Sequence, residues 1–208
     1  MPSVQLVRSE PVDSDAVILL SVDQMPVPRA NVKISLDLKY DDRVAIVGAS
    51  GTGKSQLLRT LVGLEPADRD RLALFDIPSS QMSMAHWRSH VALVPQDRPT
   101  LEGSPQDLYD TMSRYRSQAA KTFSNNNVIA GYRRSPVEYA ADWGLDDLER
   151  PWSTLSGGEA QRAMLAITLA LQPDVMILDE CTNALDYDTT LKVEATLKAL
   201  RIPILMVS

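Results

Sequence analysis

The chain has 208 residues, 44% of them hydrophobic and 23% charged, the balance of a globular domain able to bury a sizeable core. A net charge of −6 and an isoelectric point near 4.9 argue against nucleic-acid binding through bulk electrostatics, which needs a dense Lys/Arg surface. The single cysteine, Cys181, cannot form an internal disulfide and fits a reducing, cytoplasmic setting. No apolar run approaches the roughly 20 residues that cross a bilayer, and the first residues have no basic, apolar leader. The expectation is therefore a soluble chain that would need another polypeptide for any work at a membrane.

After a polar leader, residues 16–22 (AVILLSV) read as a strand and residues 32–40 (VKISLDLKY) alternate as a half-buried strand does. Both suit an N-terminal antiparallel β subdomain. Residues 43–48 (RVAIVG) form a continuous β-branched run ending in glycine, which predicts a central strand buried on both faces. Residues 54–64 (KSQLLRTLVGL) have helical spacing, and 90–96 (HVALVPQ) give a further strand stopped by proline. From about Pro105 to Asp147 the segments favour helix and are broken by "SNNN" and proline, so residues 97–154 read as an inserted helical subdomain. An apolar helix at 159–171, a buried strand at 174–180, an amphipathic helix at 190–200 and a third buried strand from 202 complete the series. Strands alternating with helices predict an α/β fold: one domain over 1–208, with a mostly parallel sheet flanked by helices.

Gly48, Ala49, Ser50, Gly51, Thr52, Gly53, Lys54 and Ser55 (GASGTGKS) fit the P-loop pattern G-x-x-x-x-G-K-[ST], placed after a buried strand and opening a helix. Backbone N–H groups curl inward there, and the helix N-terminus adds partial positive charge, so the loop suits a triphosphate. Gln56 continues the phosphate-binding set. Lys54 is expected to reach the β- and γ-phosphates, and the Ser55 hydroxyl to bind Mg²⁺. The strand VMILDE delivers Asp179 for the metal and Glu180 as the general base that polarises water. Ser156, Gly157 and Gly158, in LSGGEAQR, open another helix and offer a second anion cradle. One nucleotide does not need two, so the second cradle makes sense over the nucleotide of a neighbouring copy.

GASGTGKS, VPQ, LSGGEAQRAMLAITLALQPDVMILDE and ALD, in this order, resemble the nucleotide-binding domain of the ATP-binding-cassette (ABC) family, over about residues 16–208. The resemblance implies a P-loop NTPase with ATP and Mg²⁺ as cofactors. Gln96 matches the glutamine that contacts Mg²⁺ and senses the membrane partner, and joins Glu180 and Lys54 in hydrolysis. Ser156, Gly157 and Gly158 match the signature loop that closes over ATP on the opposite subunit, and Asp186 matches the aspartate at that interface. The implied partners are a second ABC ATPase domain, packed head to tail, and a separate transmembrane permease on whose cytoplasmic face the chain sits. DRPTLEGSPQDLY, after Gln96, matches the groove where the permease docks.

Some positions depart from the family pattern. SVDQMPVPRANVK offers no aromatic residue to stack on adenine, which leaves Met25 or Val27 to pack on the base. Cys181 and Asn183 stand where the family commonly has Pro and Ser. The sequence stops at Ser208, just before the family's switch histidine, and His86 and His90, read as surface or packing residues, do not match that position. The expectation is a site complete for binding ATP and Mg²⁺ and incomplete for turnover. A soluble, non-transport ABC ATPase and a regulatory module with little hydrolysis are the alternative readings.

Overall fold

The structure is a computed structural model that describes residues 4–9, 17–27, 31–119 and 134–207. The SNNN break and Ser208, on which the switch-histidine expectation bears, lie outside these residues. The chain divides into two compact units. The first comprises Met1–Leu93, Asp174–Glu180 and Ile202–Ser208, and the second Val94–Pro173 and Cys181–Arg201. The second thus takes in the helices after residue 154 as well as the segment 97–154.

Among the described residues, nine strands build two sheets. The leader that reads as merely polar contains β1 (Val4–Arg8), which pairs antiparallel with β4 (Arg43–Gly48) from Val4 opposite Gly48 to Arg8 opposite Val44. β4 also pairs in parallel with β9 (Ile204–Val207), and β9 with β8 (Val175–Asp179). With β7 (Val91–Val94) at the far edge, the five-stranded order is β1-β4-β9-β8-β7. β8 is buried at every residue, as its apolar run predicts. β4 is not. Val44 and Ile46 are fully buried but Val47 is 41% exposed, so its apolar run covers one face and not two.

The second sheet has the order β3-β2-β5-β6 and forms the expected antiparallel subdomain, from β2 (Ile18–Val27), β3 (Val32–Lys39), β5 (Leu72–Leu74) and β6 (Ile77–Pro78). Ile34, Leu36 and Leu38 alternate inward on β3, as a half-buried strand requires. The segment after the P-loop helix, unread in the sequence, holds β5, β6 and the helix α2 (Met84–His90), whose N-cap Ser83 accepts from the His86 N–H.

In the second unit, α3 (Pro105–Ser113) and α5 (Pro136–Asp142) begin alike. Ser104 with Asp107, and Ser135 with Glu138, form capping boxes with proline in the first turn. A short α4 (Arg116–Ala119) follows α3. α6 (Gly157–Ala170) contacts α5 and α3, and α7 (Tyr187–Ala199) is tied to the end of α5 by the Trp143 indole, which donates to Thr196 Oγ1 at 3.1 Å.

Candidate functional site

The P-loop leaves β4 at Gly48 and enters α1 (Lys54–Leu61) through two residues that only glycine adopts easily, Gly51 at φ +78° and Gly53 at φ +92°. Gly53 is the N-cap and supplies no side-chain acceptor, so no side chain caps the first N–H groups of α1. Thr52, 3% exposed, braces the turn by donating its hydroxyl to the Ala49 carbonyl at 2.9 Å. Lys54 Nζ donates to the Gly48 carbonyl at 2.6 Å, which holds the ammonium within the loop. Leu57, Leu58 and Leu61 are fully buried and anchor the helix. Ser50 and Gln56 are exposed.

Ser55, in the first turn of α1, donates its hydroxyl to Asp179 Oδ1 at 3.1 Å across 124 residues of sequence. Asp179 ends β8 and is 5% exposed. A hydroxyl and a carboxylate oxygen are hard donors, and Mg²⁺ characteristically takes one or two protein oxygens with the rest from phosphates and water. The pair fits that cation. Glu180, half-buried, follows at φ +47°, a left-handed conformation that costs a non-glycine residue on the order of 1 kcal/mol and clusters at functional sites.

The other predicted site residues belong to the second unit. Gln96 is exposed, two residues past β7, and the carbonyl of its neighbour Pro95 accepts from Gln161 Nε2. Ser156 caps α6: its Oγ accepts from the Glu159 N–H at 3.2 Å while Glu159 Oε2 accepts from the Ser156 N–H at 2.7 Å. Glu159 is thereby held at about 2, first by the Ser156 N–H, then by the Arg150 guanidinium 2.7 Å away and the Ser156 hydroxyl. This box follows from the spacing S-G-G-E and escaped the sequence reading. The two glycines differ. A Cβ on Gly158 would meet the Ala184 carbonyl oxygen at 2.9 Å, whereas one on Gly157 meets nothing within 4 Å. Asp186 caps α7, with its carboxylate accepting from the Thr189 N–H at 2.9 Å and hydroxyl at 2.8 Å, and these bonds lower its pKa.

Base packing by Met25 or Val27 does not fit their setting. Both are buried, at 1% and 2% exposure, and the exposed side chains of that strand segment are Asp23, Gln24 and Pro26. Gln24 sits at φ +46° where the β2–β3 register shifts, and its N–H and amide both donate to Ser35 Oγ.

Residues 32–183, nearly three quarters of the chain, match the family model described as ABC transporter. The chain belongs to the ABC transporter family. An ABC transporter ATP-binding protein of Brucella suis biovar 1 is 35% identical over 203 residues, covering 91% of this chain and 79% of the relative. The phosphate import ATP-binding protein PstB of Staphylococcus saprophyticus is 32% identical over 177 residues, covering 81% of this chain and 59% of its own length. The structure of cbiO1 from Clostridium perfringens, part of the ABC transporter complex cbiONQ, superposes with a TM-score of 0.65 at 24% identity, over 92% of this chain and 78% of that one. This likeness places the α/β architecture among ABC ATPase folds, and the family's domains bind ATP. Among the described residues no helix is long and apolar enough to cross a membrane.

Proposed function

We propose that this ABC protein binds and hydrolyses Mg·ATP as the ATPase part of a transporter, on the cytoplasmic face of a membrane, beside a separate permease. The observation that carries the reading is the Ser55–Asp179 hydrogen bond, because it joins the P-loop helix to the acidic end of β8 within one compact unit. When bound, Mg²⁺ supplies charge neutralisation at the β- and γ-phosphates. Lys54 and the N–H groups of residues 49–55 hold the phosphates, and Ser55 and Asp179 orient the metal side of the site. Glu180, next in sequence, takes the proton of the attacking water.

Ser156, Gly157, Gly158 and Asp186 act in a dimer of ATPase domains. The bare face of Gly157 supports this, since Gly158 is explained by packing inside its own unit and Gly157 is not. Apart from the segment 97–109, the first unit offers a partner protein a hollow of about 290 Å³, lined by Gly63, Leu64, Pro66, Met84 and Trp87 among others. Leu64, on this hollow, is 57% exposed.

Phosphate release and titration with a fluorescent ATP analogue, run on three proteins, test the proposal. Glu180→Gln is expected to lose at least about 10²-fold in rate with nucleotide affinity kept. Lys54→Ala is expected to lose affinity by about 1.5–3 kcal/mol, the worth of a charged hydrogen bond. Wild-type turnover in Glu180→Gln, or unchanged affinity in Lys54→Ala, overturns the assignment.

A further inference from the structure

The end of β8 remote from Asp179 carries a buried polar contact that the phosphate site does not use. His90, the last residue of α2, is 0% exposed, and Asp174, just before β8, is 3% exposed. His90 Nδ1 donates to Asp174 Oδ2 at 2.5 Å, and the Asp174 N–H donates to the His90 carbonyl at 2.8 Å. Two bonds thus tie the residues that lead into β7 and β8, which are neighbours in the sheet. His86 stands edge-on to His90 with ring centroids 4.6 Å apart. Tyr40 also faces this corner, its hydroxyl pushed above the usual tyrosine range by burial and then by the Asp174 charge.

Burying a carboxylate is costly unless its partner stays in place, so the contact needs a reason beyond filling space. The neighbouring strand supplies one. Val175, Met176, Ile177 and Leu178 are all at most 2% exposed. In a strand with one wet face, a slip by one residue would expose its apolar set. In β8 a slip exchanges one buried apolar side chain for another, so hydrophobic pattern specifies its axial position only weakly. Each residue of slip would move Asp179 by about 3.3 Å along the strand. That is as large as the 3.1 Å that separates its Oδ1 from Ser55 Oγ.

We propose that His90 and Asp174 form a register pin, a positioning pair that fixes β8 along its axis and so sets Asp179 against Ser55 at the other end. The inference rests on the reading of Ser55 and Asp179 as the metal-binding pair. Only one alignment of the two strands satisfies both the imidazole–carboxylate bond and the backbone bond beside it. The apolar side chains of β8 supply stability, and the pin supplies position.

The test uses H90L/D174L, which removes both polar groups and leaves no lone buried charge, with D174N, which keeps an oxygen acceptor for Nδ1–H. Each protein is saturated with ATP, freed of excess nucleotide and titrated with Mn²⁺, free Mn²⁺ being read by electron paramagnetic resonance. Melting is followed by circular dichroism. H90L/D174L is expected to fold and to bind ATP as the wild type does, yet to lose at least about tenfold in Mn²⁺ affinity, the usual cost of disturbing a group behind a metal ligand. D174N is expected to keep wild-type Mn²⁺ affinity. Should the double variant not fold, D174A measured well below its melting temperature carries the same expectation. Wild-type Mn²⁺ affinity in the folded pin-less variant, or a loss in D174N as large as in H90L/D174L, overturns the pin. A wild-type protein that binds neither ATP nor Mn²⁺ overturns the phosphate-site reading and the pin with it.

Discussion

Gly157 and Gly158 are adjacent, yet the structure asks different things of them. Replacing Gly158 by alanine drives a methyl group to 2.9 Å from the Ala184 carbonyl oxygen, a backbone atom that cannot swing aside. Gly158→Ala is expected to destabilise the chain by about 1–3 kcal/mol, the usual cost of overpacking. Gly157→Ala has open space for its methyl, and its stability is expected to stay within about 0.5 kcal/mol of wild type. Urea unfolding of both variants checks this. Equal losses would mean that the loop is not packed as described. The P-loop residues were legible in the sequence because their chemistry is local: the glycines, Lys54 and Ser55 lie within eight residues, and the backbone turns where the glycines allow. The fate of Met25 and Val27 was not legible, because nothing within the hairpin sequence says which side faces the subdomain core.

At the level of the elements, the start of α6 is held by a charge. Glu159 is held at about 2 in the fold, against an ordinary value of 4.5. Its folded value is depressed, so its stabilising contribution is complete above the ordinary value and is lost as pH falls through the folded one. The difference in stability between wild type and Glu159→Gln is therefore expected to be constant above about pH 5 and to shrink between there and pH 2. Chemical unfolding of both proteins across that range measures it. A difference that does not change with pH would show that the carboxylate is not in the cap. Helices α6 and α7 and strands β8 and β9 could be read from sequence because their apolar spacing is long or continuous. β1 could not be read with the same ease. Its alternation spans five residues, Val4 to Arg8, and it becomes a strand by pairing with β4, more than thirty residues away. The exposure of Val47 escaped for the related reason that a β-branched run states apolarity and not how many faces are covered.

For the whole molecule, Lys54, Ser55, Asp179 and Glu180, the residues proposed to handle phosphate, metal and attacking water, belong to the first unit, and Gln96, Ser156, Gly157, Gly158 and Asp186 to the second. The P-loop, the acidic pair and the Ser156–Gly158 cradle were legible from the residues themselves, Gln96 and Asp186 only through likeness to the family, and the direct Ser55–Asp179 contact, which spans 124 residues, only in the fold. In the proposed reaction Ser156, Gly157 and Gly158 serve the nucleotide of another copy, with Asp186 at the same interface. Placing a long cation in the exposed, close-approach loop should block that contact, so Ser156→Arg is expected to prevent association with the P-loop still able to bind ATP. The most direct measurement is sedimentation velocity of Glu180→Gln with and without saturating Mg·ATP, because the amide keeps the side-chain shape but cannot take the proton from water. A shift from monomer to dimer that appears only with Mg·ATP, and is abolished by adding Ser156→Arg, is the predicted result. A Glu180→Gln protein that is saturated with ATP and still sediments as a monomer would contradict it.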